Sequence, residues 1–489
     1  MTADTPFRPE ARVPRGFVDK RARDLSAERA ILQAVSQVYE RYGFEPLDTG
    51  AFEYADALGK FLPDSDRPNE GVLALQDDDE QWMALRYDLT APLARFAAQN
   101  WESLPKPFRR YAFGPVWRNE KPGPGRYREF VQCDADTVGS ARPEADAEII
   151  AMAVEGLAAA GLPRGAYVLK INNRKLLDGL LAQAGVSDPR QKLVALRAID
   201  KLDRLGWEGV QDLLGEGRLD ESGAYTKGAG LDLAAREVIG AFLDISTRKA
   251  GVLKALAELN LGAAGEEGLR ELELIELALE SLGVEADQAR FDPAVVRGLE
   301  YYTGPVFEAE LLLETTDEKG GKVTFGSVGG GGRYDDLVAR FTGQPVPATG
   351  FSFGVSRLAA ALRAAGRDAA GQLRGPVVVI AFEQAGMPAY FAAAGELRAA
   401  GVPAEVYLGS SGMKAQMKYA DRRLSPAAVI LGGDEIAAGT VTIKDLDLGR
   451  ELARGLTDNA AWRESRPGQV NVPRAELVPT IRRILEGPQ

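Results

Sequence analysis

Between Lys106 and Arg128 the chain carries seven basic residues (Lys106, Arg109, Arg110, Arg118, Lys121, Arg126, Arg128) and one acid, Glu120, although its formal net charge is −12. They belong to residues 109–136, RRYAFGPVWRNEKPGPGRYREFVQCDAD. This stretch reads as an apolar and aromatic strand from Tyr111 to Trp117, a Pro/Gly loop from Lys121 to Gly125, and a second strand from Tyr127 to Cys133. Two strands joined by a Gly-containing loop are a hairpin, and alternation aims the arginines of each arm at one face. Guanidinium forks on a rigid sheet meet phosphate in a planar, bidentate geometry. Such a face could hold and neutralise a polyphosphate; a solvated basic hairpin would have the same composition.

Further stretches set polar groups beside chain-turning residues. WMALRYDLTAPLARFAAQN (82–100) reads as a short strand, then Asp88 and Thr90, then a helix opening at Pro92, where both would ordinarily serve as caps. RGLEYYTGPVFE (297–308) reads as a strand through Tyr301, Tyr302, Val306 and Phe307, interrupted by Thr303-Gly304-Pro305. Gly329 to Gly332, followed by Arg333, Tyr334 and Asp335, reads as a glycine loop leading into a helix, alone a weak phosphate-cradle signal. GFSFGVSRL (350–358) reads as strand, turn and helix.

Composition narrows the chemistry. The 489 residues are 45% hydrophobic and 27% charged, as in an ordinary globular protein. No apolar run approaches a membrane span, and the start MTADTPFRPE lacks a basic-then-apolar secretory pattern. The single cysteine, Cys133, excludes an intrachain disulfide and fits a cytoplasmic setting. There is no histidine, which removes His–metal sites, His general bases and Ser/Cys–His triads. The chemistry must run on carboxylates, Arg, Lys and Tyr, or need no base.

The hairpin resembles motif 2 of class II aminoacyl-tRNA synthetases, and RYREFVQCDAD is close to the histidyl-tRNA synthetase version. The resemblance implies ATP in the hairpin: Arg118 on the α-phosphate, Glu120 beside the adenine, Arg126 on the outer phosphates and Phe130 stacked on the base. It also implies a loop touching the tRNA acceptor end. RGLEYYTGPVFE resembles the motif that singles out histidyl-tRNA synthetases within class II. That implies Arg297 on the α-phosphate during activation, with Tyr301 and Tyr302 lining the imidazole pocket. By the same resemblance Asp88, Thr90 and Gln132 hold the amino acid's ammonium, Asp136 with Tyr301 or Tyr302 reads the ring nitrogens, and Tyr334 lies near the histidine. GFSFGVSRL resembles motif 3, which implies Arg357 against the adenine face opposite Phe130, a cation–π sandwich. Some family members carry Glu where this chain has Asp88 and Asp136.

The elements that must position these groups follow from periodicity. Leu25, Ile31, Leu32, Val35, Val38 and Tyr39 predict a helix from Asp24 to Tyr42, stopped at Gly43, with a strand over Phe44–Asp48. That pair resembles motif 1, the family's dimer interface, with Gly50 where Pro is usual. A helix is expected over Pro143–Ala160 and a strand over Tyr167–Ile171. A helix-rich block then places Leu272, Ile275, Leu279 and Leu282 on one face before Gly283. Ala/Gly/Arg-rich residues 360–375 read as a linker. Beyond it VVVIAF (377–382), a helix to Ala400, strands Ala404–Leu408, Ala428–Leu431 and Thr440–Leu446, and a helix near 474–486 read as an α/β unit. Lys414, Lys418 and Arg422 make one basic helix face, and this region resembles the family's anticodon-binding domain.

The expected architecture is an α/β multi-domain protein: a class II antiparallel-sheet catalytic domain with helices (1–173 and 289–365), a helical insertion domain (174–288), a linker (366–375), an α/β anticodon-binding domain (376–460) and a C-terminal extension (461–489). The resemblance implies a homodimer that activates histidine with ATP and Mg2+ and charges tRNA(His), with no membrane partner and no metal held by the protein. Two relatives compete: the synthetase-like regulatory subunit of ATP phosphoribosyltransferase, and a class II synthetase for threonine, proline or glycine. The retained C-terminal unit and the Arg297–Glu308 string argue against them.

Overall fold

The structure, a computed structural model, describes residues 8–61, 71–122, 127–219, 223–248, 250–298, 302–313, 315–316, 322–323, 325–367, 374–453 and 468–486. They fall into two units, Met1–Ala370 and Gly371–Gln489.

In the first unit α1 (Ala22–Arg41) turns Ala27, Ile31, Val35, Val38 and Tyr39 inward and stops before Gly43, whose φ is +79°. After an edge strand, β1 (Glu45–Pro46), come α2 (Thr90–Asn100) and the hairpin strands β2 (Phe108–Trp117) and β3 (Glu129–Val138). Helix α3 (Pro143–Ala159) opens with Pro143 and sets Glu144 and Asp146 in its first turn, which suits the unpaired N–H groups there. Strands β4 (Tyr167–Asn173), β5 (Ala289–Phe291), β6 (Pro305–Leu311), β7 (Ser327–Arg333) and β8 (Ala348–Gly354) complete an eight-stranded sheet, ordered β1-β2-β3-β8-β7-β6-β4-β5. Its edge pairs are parallel and the rest antiparallel. Helix α4 (Val355–Ala364) leaves β8 without a break, so residues 360–364 are helical and not linker.

One face of this sheet is apolar. Cys133 and Ala135 of β3, Phe307 and Ala309 of β6, and Phe351 and Phe353 of β8 pack with α1, α3 and α4 in one buried cluster. That cluster continues through Leu176, Leu180, Leu196, Leu214, Phe242, Leu272 and Ile275, so the block at 174–288 shares its core with the sheet. The block also contains a hairpin, Gly217–Leu219 with Tyr225–Lys227, among its helices. Leu272, Ile275 and Leu279 are buried as expected, whereas Leu282, beyond the helix end, is 47% exposed.

The glycine run departs most from the sequence reading. Gly329–Gly332 lies within β7, paired on both sides, and not in a loop. A Cβ on Gly331 would stand 2.1 Å from the Gly350 carbonyl oxygen and 2.6 Å from the Phe307 ring. Glycine therefore lets β7 and β8 approach over the aromatic layer. Tyr302 also lies outside a strand, because β6 begins only at Pro305.

The second unit is a five-stranded sheet built from β9 (Val377–Ile380), β10 (Ala404–Val406), β11 (Ala427–Ile430), β12 (Thr440–Asp445) and β13 (Gln469–Pro473), ordered β10-β9-β11-β12-β13. Helices α5 (Met387–Ala399), α6 (Met413–Arg422) and α7 (Leu477–Glu486) accompany it. Leu477 and Ile481 of α7 join the buried cluster of β9, β11 and β12, so residues 469–486 are part of this unit and not an appended tail. On α6, Gln416 and Ala420 face inward while Lys414, Lys418 and Arg422 are exposed.

Gly331→Ala should lower the stability of the first unit by about 1–3 kcal/mol, the usual cost of overpacking. Gly395→Ala, in the exposed face of α5 where an added Cβ meets nothing within 4 Å, should stabilise the second unit by about 1 kcal/mol. Denaturant midpoints followed by a probe in each unit would check both signs.

Candidate active site

The second face of the sheet collects the polar residues. Side chains of a strand alternate, so Phe130, Gln132, Asp134 and Asp136 of β3 share the face opposite Cys133 and Ala135. The register sets Arg110 beside Asp136, Ala112 beside Asp134 and Gly114 beside Gln132 on β2. On the other side Gly350, Ser352 and Gly354 of β8 stand opposite Asp136, Asp134 and Gln132. Arg110 and Arg118 therefore share this face. Arg109 does not: it pairs with Glu148 of α3 at 3.0 Å on the helix side.

At the centre is a buried ionic cluster. Arg110 is 0% and Asp136 2% exposed, with Arg110 Nη2 2.8 Å from Asp136 Oδ2. Arg110 Nη2 also donates to the Leu89 carbonyl at 2.9 Å. The Tyr334 hydroxyl donates to Asp136 Oδ1. The space for this carboxylate comes from Gly350, where a Cβ would lie 1.9 Å from Asp136 Oδ1. Gln132 Nε2 donates to Ser352 Oγ at 2.9 Å, while Gln132 Oε1 and Asp134 Oδ1 are buried without a hydrogen-bond partner among the described residues. A ligand N–H could satisfy those two acceptors.

Two carboxylates near one guanidinium cannot both be comfortably ionised. Burial, reinforced by the Asp136 charge, pushes the Asp134 carboxyl up to about 8, against the opposing pull of Arg110 and a hydrogen bond with Ser352. Burial raises Asp136 as well, opposed by Arg110 and Tyr334. Tyr302 is raised by burial, with Arg297 opposing and Asp136, Asp134 and Asp88 adding to the rise. The structure thus brings Asp88, Asp136, Tyr302, Tyr334 and Arg297 into one electrostatic neighbourhood.

Asp88 precedes α2, and its Oδ1 accepts the N–H groups of Thr90 (3.0 Å) and Ala91 (2.8 Å). The capping role is real, and burial raises this carboxyl too, opposed by those N–H groups and by Arg118. Thr90 is the first residue of α2 and half-buried. Arg297 lies in the loop between β5 and β6; its Nη2 donates to Ser327 Oγ at 3.2 Å and its Nη1 is 3.4 Å from Glu308 Oε1. A Cβ on Gly330 would sit 3.3 Å from Arg297 Nη2, so the glycine strand floors this guanidinium.

Towards the open end of the hairpin, Arg118 Cζ lies 4.6 Å from the Tyr87 ring centroid and 5.1 Å from that of Phe130, and its Nε donates to the Tyr87 carbonyl at 3.3 Å. Glu120 is exposed and its carbonyl accepts from Arg128 Nε at 3.2 Å. Arg357, in the first turn of α4, donates to the Phe325 carbonyl at 2.5 Å. Arg126 and Tyr301 lie outside the described residues. Residue-by-residue reading missed Arg110, Asp134 and Ser352; the available signal was an even spacing, two residues for Asp134 from Asp136 and Ser352 from Gly350, and eight for Arg110 from Arg118.

Residues 16–358 match the family model for histidyl-tRNA synthetase, and residues 376–484 that for an anticodon binding domain. The chain belongs to the histidyl-tRNA synthetase family. It is 74% identical over 495 residues to the histidine--tRNA ligase of Caulobacter vibrioides, covering 100% of both chains. It is 56% identical to that of Cereibacter sphaeroides, covering 98% of each. Among solved structures, histidyl-tRNA synthetase from Nostoc superposes with a TM-score of 0.72 at 29% identity, over 97% of this chain and 99% of the other. A Bacillus halodurans protein titled ATP phosphoribosyltransferase regulatory subunit/histidyl-tRNA synthetase shares the fold, with a TM-score of 0.65 at 21% identity over 85% and 97%. Within the family this member carries its charged cluster in a chain without histidine, which makes the cluster's ionisation measurable.

A carboxyl raised by folding favours the native state below its unfolded pKa and loses that contribution as pH rises through the folded value. For Asp134 the loss runs from about pH 4 to about 8. Burial raises Asp146 to about 6 against the opposing pull of Arg333, so its loss is largely over by about pH 6. No histidine titrates in the remaining window. Unfolding free energy should fall between pH 6 and 8, and Asp134→Asn should flatten that slope. Denaturant titrations at the two pH values decide it; an unchanged slope would mean that Asp134 is ionised throughout.

Proposed function

We propose that this chain is a histidine—tRNA ligase, activating histidine with ATP to histidyl-adenylate and passing the acyl group to the 3′ end of tRNA(His) in the cytoplasm. The observation that carries the reading is the sharing of one sheet face by two environments. A half-buried Arg118 with Tyr87 and Phe130 suits a nucleotide, and the buried Arg110–Asp136–Tyr334 cluster with Tyr302 suits a small polar ring. Arg297 borders the second of these.

The first step needs no general base, because the attacking carboxylate is already ionised near neutral pH. What it needs is placement in line with the α-phosphorus and neutralisation of charge growing on the phosphate oxygens. Arg118 and Arg297 supply that charge from two directions, Phe130 and Arg357 hold the adenine, Glu120 borders it and Arg126 takes the outer phosphates. The missing histidine costs such a mechanism nothing. For recognition, Asp136 offers an acceptor whose orientation is fixed by Arg110 and Tyr334, and Tyr301 and Tyr302 complete the ring pocket. Asp88, Thr90 and Gln132 take the ammonium. A pocket that hydrogen-bonds its ligand rejects analogues strongly, because its own buried groups would otherwise stay unpaired.

Among the described residues no group of three or more Cys, Asp or Glu side chains is arranged to hold a metal. Mg2+ would accompany the outer phosphates of ATP, where it would screen their charge. Transfer to tRNA uses the C-terminal unit, whose Lys414, Lys418 and Arg422 row offers a basic surface in an acidic protein. A homodimer interface at α1 and β2 is supported by Phe113, which is 49% exposed within a hollow lined by Leu32, Ser36 and Tyr111.

Arg297→Ala should lower ATP–pyrophosphate exchange roughly 10²-fold, the usual cost of removing a transition-state donor, with histidine binding largely kept. Full exchange activity would remove Arg297 from the mechanism. For the wild type, exchange supported by histidine alone among the twenty amino acids fits the proposal. Histidine binding without exchange would favour a regulatory subunit instead.

A further inference from the structure

A polar knot behind β3 ties together four separate parts of the first unit. Lys20 Nζ donates to Glu28 Oε1 at 2.6 Å and to Ser356 Oγ at 3.1 Å. The Ser356 hydroxyl donates to Glu28 Oε1 at 2.6 Å and accepts the Val131 N–H at 3.1 Å. With one donor used and two lone pairs filled, Ser356 has its full complement. Lys20 comes from the extended arm before α1, Glu28 from α1, Ser356 from the first turn of α4 and Val131 from β3. The ladder between β3 and β8 ends at Gln132 and Gly354, so Val131 is the next residue and its N–H is taken over by Ser356.

The same arm grips the hairpin a second time. Its Pro14–Phe17 turn brings the Gly16 carbonyl to the Arg128 N–H, which donates to it at 2.8 Å. A Cβ on Gly16 would stand 2.8 Å from the Arg128 and Pro122 side chains, so only glycine lets the turn sit this close. The arm is thus bonded at Arg128 and, through Ser356, at Val131, on either side of Phe130. Phe130 immediately precedes Val131, and Arg357 immediately follows Ser356. Glu28 is 7% exposed, so the charge that organises the knot is desolvated and strongly held. The arm itself buries little: residues 8–19 are exposed or half-buried and stand outside the apolar cluster, which begins at Ala27. Its specific contacts gather at the hairpin and at the start of α4, where they contribute little to the core.

We infer that residues Gly16–Lys20 are positioning residues for the nucleotide. Lys20, acting through Glu28 and Ser356, fixes the spacing between Phe130 and Arg357 and so sets the width of the purine slot. This rests on the reading of Phe130 and Arg357 as the adenine-binding pair. It assigns to the arm a part in ATP affinity and none in histidine recognition, since the Arg110–Asp136–Tyr334 cluster is formed without it.

The test is steady-state ATP–pyrophosphate exchange on the full chain, with KM for ATP and for histidine measured separately. Losing a hydrogen bond to a charged group corresponds to roughly 10-fold, so Lys20→Ala and Ser356→Ala should each raise KM for ATP by about that factor. KM for histidine should stay put, Lys20→Arg should restore KM for ATP, and the double variant should be no worse than the worse single one. Equal rises in both KM values, or additive effects in the double variant, would overturn the inference and leave a purely structural arm. Phe130→Ala separates the two levels. If it raises KM for ATP and Lys20→Ala does not, the arm's role falls alone. If it leaves KM for ATP unchanged, the slot reading falls and takes the inference with it.

Discussion

The two-residue period of β3 is the constraint on which the rest of this structure depends. Cys133 and Ala135 must enter the apolar cluster while Gln132, Asp134 and Asp136 meet the opposite, polar face. A slip of one residue would drive two carboxylates into that cluster and lift its apolar side chains out. Glycine makes the correct register physically possible. At Gly350 any side chain would occupy the space of the Asp136 carboxylate, and at Gly331 it would meet the Gly350 carbonyl. The flat glycine strand is thus the complement of the charged one, and the two can only be understood together.

A division of labour among the arginines follows. Arg110 is sealed, bonded to Asp136 and to the Leu89 carbonyl, and has no access to a phosphate. It serves as an internal counter-ion that orients Asp136, as a buried charge must be paired to be tolerated. Arg118 and Arg297 sit where the face opens, partly solvated and held by weaker contacts, in keeping with groups that exchange protein partners for a ligand. Burial raises both Asp134 and Asp136, and Arg110 opposes the rise in each.

Much of this was readable beforehand, and the misses have a common origin. The hairpin and α1 announce themselves through periodicity, which reports burial on one face, and β9 and β11 through short apolar runs buried at every position. Fixed-spacing motifs marked Asp136, Tyr334 and Arg297, which the structure brings into one neighbourhood from a strand, a strand end and a loop far apart in sequence. Arg110 and Asp134 were passed over because a buried arginine looks in sequence like a solvated one; only the cross-strand register reveals that it faces a carboxylate. The glycine run was taken as a loop because glycine is depleted from strands on average. What overrides that average is close approach between neighbouring strands, a tertiary fact. The same holds for β13 and α7, whose place in the second sheet depends on partners more than twenty residues upstream.

The absence of histidine has a further consequence for ligand binding. Free imidazole titrates near pH 6.5, and in a complex of this protein with histidine the only such ring would be the ligand's. In the proposed pocket the Asp136 charge is already matched by Arg110, so a second positive charge gains little there. Asp134, raised towards neutrality by its burial, adds no strong field for an imidazolium near pH 7. Both features favour the neutral ring, held through its N–H and its bare nitrogen, over the charged one. Binding should therefore weaken as pH falls below about 6, when the free ligand takes up a proton that the site does not reward. An imidazole signal from the ligand, free of overlap with any protein histidine, would report the protonation state directly. If that ring titrated upward on binding, the site would be an ion-pairing pocket, and the buried Arg110 would have to leave Asp136 for it to work.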